Sequence, residues 1–373
     1  MKKVLLINQS TGYLMIDIVN AYKEKYEDVV LMAGSIKVTE RHLSKGVKTD
    51  KIMAYDRSSL LKRFITWLVA TCQIFWKILF KYSDYEIVYV TNPPMSYFIS
   101  YFLKRPYSII VYDIYPDALT NIGIKESNII YKLWVLFNKK CFSKAKCVFT
   151  LSDGMRKQLS KYTSPEKISV IPNWSASDKF TKVEKDSNPF IKEHHLHGKF
   201  VIMYSGNIGL SHNVEYIIEI AKILKNHTDI EFLIVGEGEK KKHLQEKVRE
   251  YGLTSCMFLS WQNSDMLPYS LGSADIAVVT INDDVANVCV PSKTYNILAI
   301  GAPILCIAPD NSEISSLVNK YKNGVCFDKT KVYEMAEYVL KLKNDTELQF
   351  KQSNNSLRAS KDFTYLNAKD YVL

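Results

Sequence analysis

Short apolar runs recur along this chain, each followed by a stretch with helical spacing, and that rhythm constrains the architecture more than any other feature. In the first half the runs are Val4–Ile7, Val29–Met32, Ile87–Val90, Ile109–Tyr112, Cys147–Leu151 and Ile168–Ile171. In the second they are Val201–Tyr204, Glu231–Val235, Met257–Leu259, Ile276–Val279, Ile304–Ile307 and Gly324–Phe327. Continuous β-branched runs separated by helices predict parallel strands covered on both faces, hence a doubly wound α/β fold. A chain of 373 residues is long enough for two such domains with full cores. Residues 172–199, rich in Ser, Asp, Lys and Asn, read as the join between them. The expected division is a first domain over 1–175, a linker over 176–198, a second domain over 199–355, and a C-terminal helix over 356–373 returning to the first. Two Rossmann-like domains facing across a cleft would place ligands beyond the carboxyl ends of the strands.

Charge is distributed unevenly. Residues 1–175 hold 26 Lys and Arg against 14 Asp and Glu, whereas residues 176–373 hold 23 against 25. A one-sided excess suggests that the first domain faces a polyanion, a bilayer or a nucleic acid. The sequence carries no nucleic-acid reader motif, so an anionic membrane surface is the expected partner and nucleic acid is not. Seven cysteines without a C-x-x-C pair, most of them inside apolar runs, read as reduced thiols of a cytoplasmic protein. The opening Met-Lys-Lys-Val-Leu-Leu-Ile-Asn is too short in its apolar part for a signal peptide and reads as a first strand.

One helix in the first domain is unusual. Between Ser58 and Tyr82 the polar positions Lys62, Thr66, Gln73, Lys77 and Lys81, with Ala70 filling the gap, form one narrow stripe. Almost everything else is apolar, including Phe64, Trp67, Phe75 and Trp76, but Gln73 and Lys77 interrupt the run that a spanning helix needs. A helix lying in the bilayer interface fits this pattern, and so does one buried between sheet and neighbour. The basic charge of the first domain favours the interface.

The loops after the strands carry the chemistry. At 288–305, Pro291-Ser292 opens an apolar-periodic helix, Gly301 closes it, and Ala302-Pro303 leads into a strand. Free N–H groups of Val290, Ser292 and Lys293 at the helix start suit an anion such as a diphosphate. A lysine there opposes the helix dipole unless an anion is bound; the plainer alternative is a solvated side chain. Gly206-Asn207-Ile208-Gly209 follows one strand, Gly236-Glu237-Gly238 another and Ser260-Trp261-Gln262 a third. The first has G-x-x-G spacing and is no dinucleotide fingerprint, but four such loops on one rim point to a bound ligand. In the first domain Ser10, Thr11, Gly12, Asn92, Asp113 and Asp117 follow strands, with capping and turn formation as the alternative for the aspartates. His194, His195 and His197 lie in the polar join without metal-ligand spacing, so no metal is expected.

Taken in order, Tyr-Ser-Gly-Asn-Ile-Gly (204–209), Val-Gly-Glu-Gly-Glu (235–239), Ser-Ala-Asp-Ile-Ala-Val-Val (273–279), Pro-Ser-Lys-Thr-Tyr-Asn (291–296), Asp-Ile-Tyr-Pro-Asp (113–117) and Val-Ile-Pro-Asn-Trp (170–174) resemble the retaining GT-B glycosyltransferases of family 4, in particular bacterial members that assemble capsule or O-antigen units. The resemblance implies a nucleotide-sugar donor, by family habit a UDP-sugar, in the second domain. It implies a lipid-diphosphate-linked sugar acceptor in the first, at the inner face of the cell membrane. Carried over, Gly206, Asn207, Gly209, Gly236 and Glu237 would lie on the donor phosphates, Trp261 and Gln262 along the base, and Val290, Pro291, Ser292 and Lys293 on the diphosphate. Ser10, Thr11, Gly12, Asn92 and Asp113 would meet the acceptor, and Asp113, Asp117 and Lys293 would serve catalysis. The family's usual pair of glutamates falls here at Val288 and Asn296, and its basic pair after the glycine turn at Asn207, His212 and Asn213. No cofactor or metal is implied, since helix starts and a lysine stabilise a departing diphosphate. Two rival readings keep the fold: a sugar-nucleotide epimerase or hydrolase, and an inactive sugar-nucleotide-binding partner subunit.

Overall fold

The structure is a computed structural model that describes residues 2–38, 41–103, 105–122, 124–176, 180–181, 183–210, 212–283 and 290–373. The chain divides into two compact units, residues 1–173 with 365–373, and residues 174–364. Each of the twelve expected strands is present.

The first unit is built on a seven-stranded parallel sheet in the order 48–51, 28–33, 3–7, 86–90, 107–110, 148–150, 168–170. Its interior strand Lys3–Ile7 buries Val4, Leu5, Leu6 and Ile7 completely, as a strand covered on both faces must. Burial of each is worth about 1.5–3 kcal/mol. The edge strand Lys48–Lys51 was not expected, because Lys-Thr-Asp-Lys is polar and largely exposed. The C-terminal Tyr365–Tyr371 turn packs on the Tyr13–Lys25 helix, with the Tyr22 hydroxyl donating to the Tyr371 carbonyl at 2.7 Å and Lys369 paired with Glu24 at 2.7 Å.

The second unit carries a six-stranded parallel sheet in the order 256–259, 230–235, 200–205, 276–280, 304–307, 324–327. Numbered along the chain, both sheets run 3-2-1-4-5-6, with a seventh strand added in the first. This is the doubly wound order whose switch point lies between the first and fourth strands.

The first unit ends within two residues of the expected 175, but the segments read as linker and as returning helix are placed differently. Residues 174–199 belong to the second unit: Trp174, Phe190 and Ile191 are fully buried, and Asn188 donates to the Tyr269 carbonyl at 2.9 Å. The long helix Thr346–Ser360 also stays in the second unit, so only the last nine residues return to the first.

The unusual helix spans Leu60–Phe80, capped by the Ser59 hydroxyl, which accepts from the Lys62 N–H at 3.2 Å. Its narrow polar stripe faces the protein. Gln73 accepts from the Met53 N–H at 2.7 Å, and Lys77 and Lys81 both pair with Asp50 of the edge strand, which also accepts from the Tyr82 hydroxyl. Burial alone would raise the Asp50 pKa, but these donors outweigh it and hold the carboxyl at about 2. Leu61, Ile65, Leu68, Trp76 and Phe80 are left exposed, Phe80 by 74%. Exposed Phe102 and, on the Ile129–Lys144 helix, Ile129, Ile130, Leu133 and Leu136 add to the apolar surface of this unit. By length and composition alone the 21-residue helix could cross a membrane, yet its inward stripe is bonded to the sheet edge. Trp67, expected on the membrane face, turns inward instead, 3% exposed and stacked on Tyr55 at 5.7 Å. Phe64 and Phe75 are half-buried.

Candidate functional site

Strand register assembles the site of the second unit. Ser205 stands opposite Val235, and Val235 opposite Leu259, so three neighbouring strands end flush and their turns emerge side by side. The Gly206 N–H donates to the Val235 carbonyl at 2.9 Å, Ile208 to Glu237 at 2.9 Å, and Gly236 to Leu259 at 2.9 Å. A Cβ on Gly236, at φ +145°, would lie 2.0 Å from the Gly206 carbonyl oxygen, and one on Gly238, at φ +157°, 2.4 Å from the Ile208 backbone. Both glycines therefore serve the packing of turn on turn. Glu237 is exposed and paired with Lys241 at 2.7 Å. Trp261 stands 55% exposed beside half-buried Gln262, whose amide donates to the Ser260 carbonyl. Gly209 lies against the Asn207 side chain.

Lys293 joins these turns from the fourth-strand side. It begins the helix Lys293–Ala299, preceded by half-buried Val290 and Pro291 and exposed Ser292. Its ammonium sits where a Gly206 Cβ would be, 2.5 Å from that position, and 3.7 Å from the centroid of the Tyr204 ring. The Tyr204 hydroxyl donates to the Asn207 carbonyl at 2.6 Å, fixing ring and turn together. The Lys293 Nζ is buried and makes no hydrogen bond among the described residues. Burial pulls its pKa down to about 7. His212 is held at about 4 by burial and then by the charges of Lys293 and Lys240. Lys240, which sequence reading missed, donates to the His212 carbonyl at 2.8 Å and pairs with Glu215 at 2.8 Å. The nest is thus a cluster of glycine backbone and cationic groups with one ammonium unpaired, chemistry suited to a polyanion.

Other expected members behave differently. Asn213 is buried and ties the switch point together: its N–H donates to the Thr280 hydroxyl and its amide to the Ile281 carbonyl. The Asn296 oxygen accepts from the Ser175 hydroxyl and the Ala176 N–H, both at 3.1 Å. Val288 lies outside the described residues, as does Ser211. His194 packs on Phe190 with centroids 4.3 Å apart, while His195 and His197 are exposed. Among the described residues no cluster of three or more His, Cys, Asp or Glu could hold a metal ion.

In the first unit, Tyr55, Arg57, Arg63, Trp67, Thr91, Asn92, Asp113 and Tyr115 line a cavity of about 310 Å³. The Thr91 hydroxyl accepts from the Tyr112 and Asp113 N–H groups at 3.1 and 3.3 Å and so orients the loop. Asp113 reaches solvent through the open mouth but is surrounded by protein on most sides. That burial raises its carboxyl pKa, opposed by Arg57 and Arg63. Asp117 is not brought to this cavity. Its carboxylate, expected to serve catalysis, is bonded to Lys161, to the Tyr162 hydroxyl at 2.7 Å and to the Tyr131 hydroxyl at 3.1 Å, partners that brace it within the fold. Ser10 and Thr11 form a short strand, Thr11 buried and bonded to the Asn8 carbonyl, and an added Cβ on Gly12 would meet open space. Arg57 and Arg63 were missed, although both flank the start of a helix, where a cation opposes the dipole as Lys293 does.

Residues 186–358 match the family described as glycosyl transferases group 1. The chain is similar to the group 1 glycosyl transferases over that stretch, a little under half of its length. It is 29% identical over 225 residues to a putative colanic acid biosynthesis glycosyl transferase, WcaI, of Escherichia coli K12, and 25% identical over 241 residues to a probable glycosyltransferase, WbjE, of Pseudomonas aeruginosa. These matches take in 58% and 62% of this chain but only 55% and 59% of the relatives, so it spans little more than half their length. A third relative is 28% identical over 179 residues, covering 46% of this chain and 45% of its own length. It is an Escherichia coli UDP-Gal:alpha-D-GlcNAc-diphosphoundecaprenol alpha-1,3-galactosyltransferase. The fold is that of HepE from Anabaena, solved with UDP and glucose, at TM-score 0.74 and 15% identity over 100% of this chain and 98% of that one. It is equally that of WaaG, a glycosyltransferase involved in lipopolysaccharide biosynthesis, at TM-score 0.71 and 13% identity over 98% of each. The two parallel α/β units of seven and six strands are those of a GT-B chain.

Proposed function

We propose that the protein is a retaining glycosyltransferase that moves a hexosyl or N-acetylhexosaminyl group from a UDP-sugar to a lipid-diphosphate-linked acceptor, without a metal, in bacterial surface polysaccharide biosynthesis. The observation that carries this reading is Lys293, whose ammonium is shielded from water against the Gly206 turn and has no anionic partner among the described residues. A diphosphate would supply that anion, raise the lysine's pKa again and leave the cation where negative charge develops as the anomeric C–O bond breaks. The departing phosphate oxygen would take the proton of the acceptor hydroxyl as that oxygen bonds to the anomeric carbon. Asp113 would hold the hydroxyl, and Asn296 and the 260–262 turn would meet the nucleoside.

Support for the donor comes from HepE, solved with UDP-glucose, and for the acceptor from the galactosyltransferase whose name specifies a diphosphoundecaprenol. The exposed apolar face of the Leu60–Phe80 helix and the positive charge of the first unit support a place on the inner face of the cell membrane. An epimerase or hydrolase would need neither.

The test offers purified protein a panel of sugar nucleotides with vesicles containing lipid-linked acceptor. Acceptor-dependent release of UDP that survives a chelator is the expected result. Release that needs no acceptor would indicate hydrolysis, and UDP binding without turnover an inactive partner. No release and no binding from any donor would end the reading.

A further inference from the structure

We propose that the Arg57/Arg63 cavity and the apolar groove beside it form one binding site for a single-chain lipid diphosphate, with the diphosphate on the two arginines and the chain along the Leu60–Phe80 helix. The inference rests on the reading that the acceptor is lipid-linked, and assigns it a place.

The groove, about 550 Å³, is walled by Leu68, Phe75 and Trp76 of that helix and by Met95, Phe98 and Phe102 across from it. Its lining neighbours that of the polar cavity along the chain on both walls. Trp67 and Asn92 line the cavity, whereas Leu68 and Met95, one and three residues on, line the groove. Met95 and Phe98 also pack on the Trp67, Tyr115 and Trp134 cluster that floors the cavity. From Leu68 to Trp76 the groove follows roughly 12 Å of helix axis.

Its head end is built for an anion. Arg63 donates to the Tyr55 hydroxyl at 2.8 Å and lies 5.7 Å from the Trp67 ring, and Arg57 lies 5.1 Å from the Tyr55 ring. Neither arginine has a carboxylate partner within ion-pair distance among the described residues. Two guanidinium forks held by aromatic faces present paired donors of the geometry phosphate accepts. Trp67 supplies the independent sign of a ligand. It is 3% exposed, lines the cavity, and its indole N–H has no acceptor, a cost that a phosphate oxygen would remove. Adhesion to bulk lipid would call for the outward apolar face alone. Cations and an orphan donor at one end of a single groove match one chain with one charged head.

The test is calorimetry on the full chain, without sugar nucleotide, using farnesyl diphosphate, farnesol and inorganic pyrophosphate as probes, with UDP titrated separately. Farnesyl diphosphate is expected to bind at least tenfold more tightly than either fragment and to be undisturbed by UDP. Arg63→Gln is expected to weaken it about 10- to 100-fold, and Thr71→Trp, which fills the groove, by a similar factor, both with UDP affinity unchanged. Farnesol binding as tightly as the diphosphate, displacement by UDP, or affinity for anionic vesicles with none for the soluble diphosphate would each overturn the proposal. The probe series on the unaltered protein decides even if a variant fails to fold. Loss of UDP binding alone would count against the donor reading and leave this site standing.

Discussion

Lys293 is a charge that the fold keeps dry without a counter-ion among the described residues, and that has a thermodynamic signature. Above pH 10.5 the amine is neutral folded or unfolded and burial costs nothing in protonation. Between pH 10.5 and about 7 the unfolded chain takes up the proton first, so stability falls, and below about 7 the penalty is complete. Lys293→Met is therefore expected to raise the stability of the free protein at pH 6 by on the order of 2 kcal/mol, while removing stabilisation by UDP and lowering transfer about 100-fold or more. Thermal unfolding with and without UDP checks the first part, and UDP release the second. His212 adds to the loss at acid pH, between 6.5 and about 4, since its neutral form is the one buried. Gly236→Ala meets both a left-handed backbone and an oxygen 2.0 Å away, and is expected to cost about 2–4 kcal/mol in denaturant unfolding. The oddity of Lys293 was legible in the sequence, because a cation at a helix start asks for an explanation. Asp117 and Asn213 were not, because a motif shows a residue type and spacing but not which partners from distant segments will saturate it.

At the scale of elements, the Leu60–Phe80 helix shows what periodicity leaves open. Its narrow polar stripe could be read from spacing, but the side on which the stripe would lie could not. That was decided by Asp50 on an edge strand whose Lys-Thr-Asp-Lys sequence has no strand signature. With the stripe bonded inward, the exposed residues are ones whose replacement should leave the fold intact. Leu61→Ser, Trp76→Ser and Phe80→Ser together are expected to change unfolding stability by less than about 1 kcal/mol, yet to lower sedimentation with anionic vesicles at least about tenfold. Equal sedimentation would remove the helix from any account of membrane attachment. Lys77→Met should do the reverse, loosening the helix from the edge strand with little effect on its apolar face.

Over the whole molecule, the architecture was legible because twelve β-branched runs fix strands, and parallel strands fix a doubly wound order. The end of the first domain was legible to within two residues, but the placement of the segment after it was not. Residues 176–198 look like a linker by their Ser, Asp and Lys content, whereas the division into compact units and the burial of Trp174, Phe190 and Ile191 assign this stretch to the second unit. The uneven charge belongs to this scale as well. With the excess confined to residues 1–175, vesicle binding is expected to fall at least about tenfold between about 0.1 M and 1 M salt, as the Debye length shrinks from about 10 to 3 Å, while UDP affinity changes less. Co-sedimentation across a salt series, with UDP titrations alongside, checks this. The seam that joins Gln73, Lys77 and Lys81 to Met53 and Asp50 carries one more consequence. On a bilayer, a helix moored by that seam could neither roll nor sink further, so the first unit would float with a fixed waterline, its draught set by half the girth of one helix rather than by the depth of the lipid beneath.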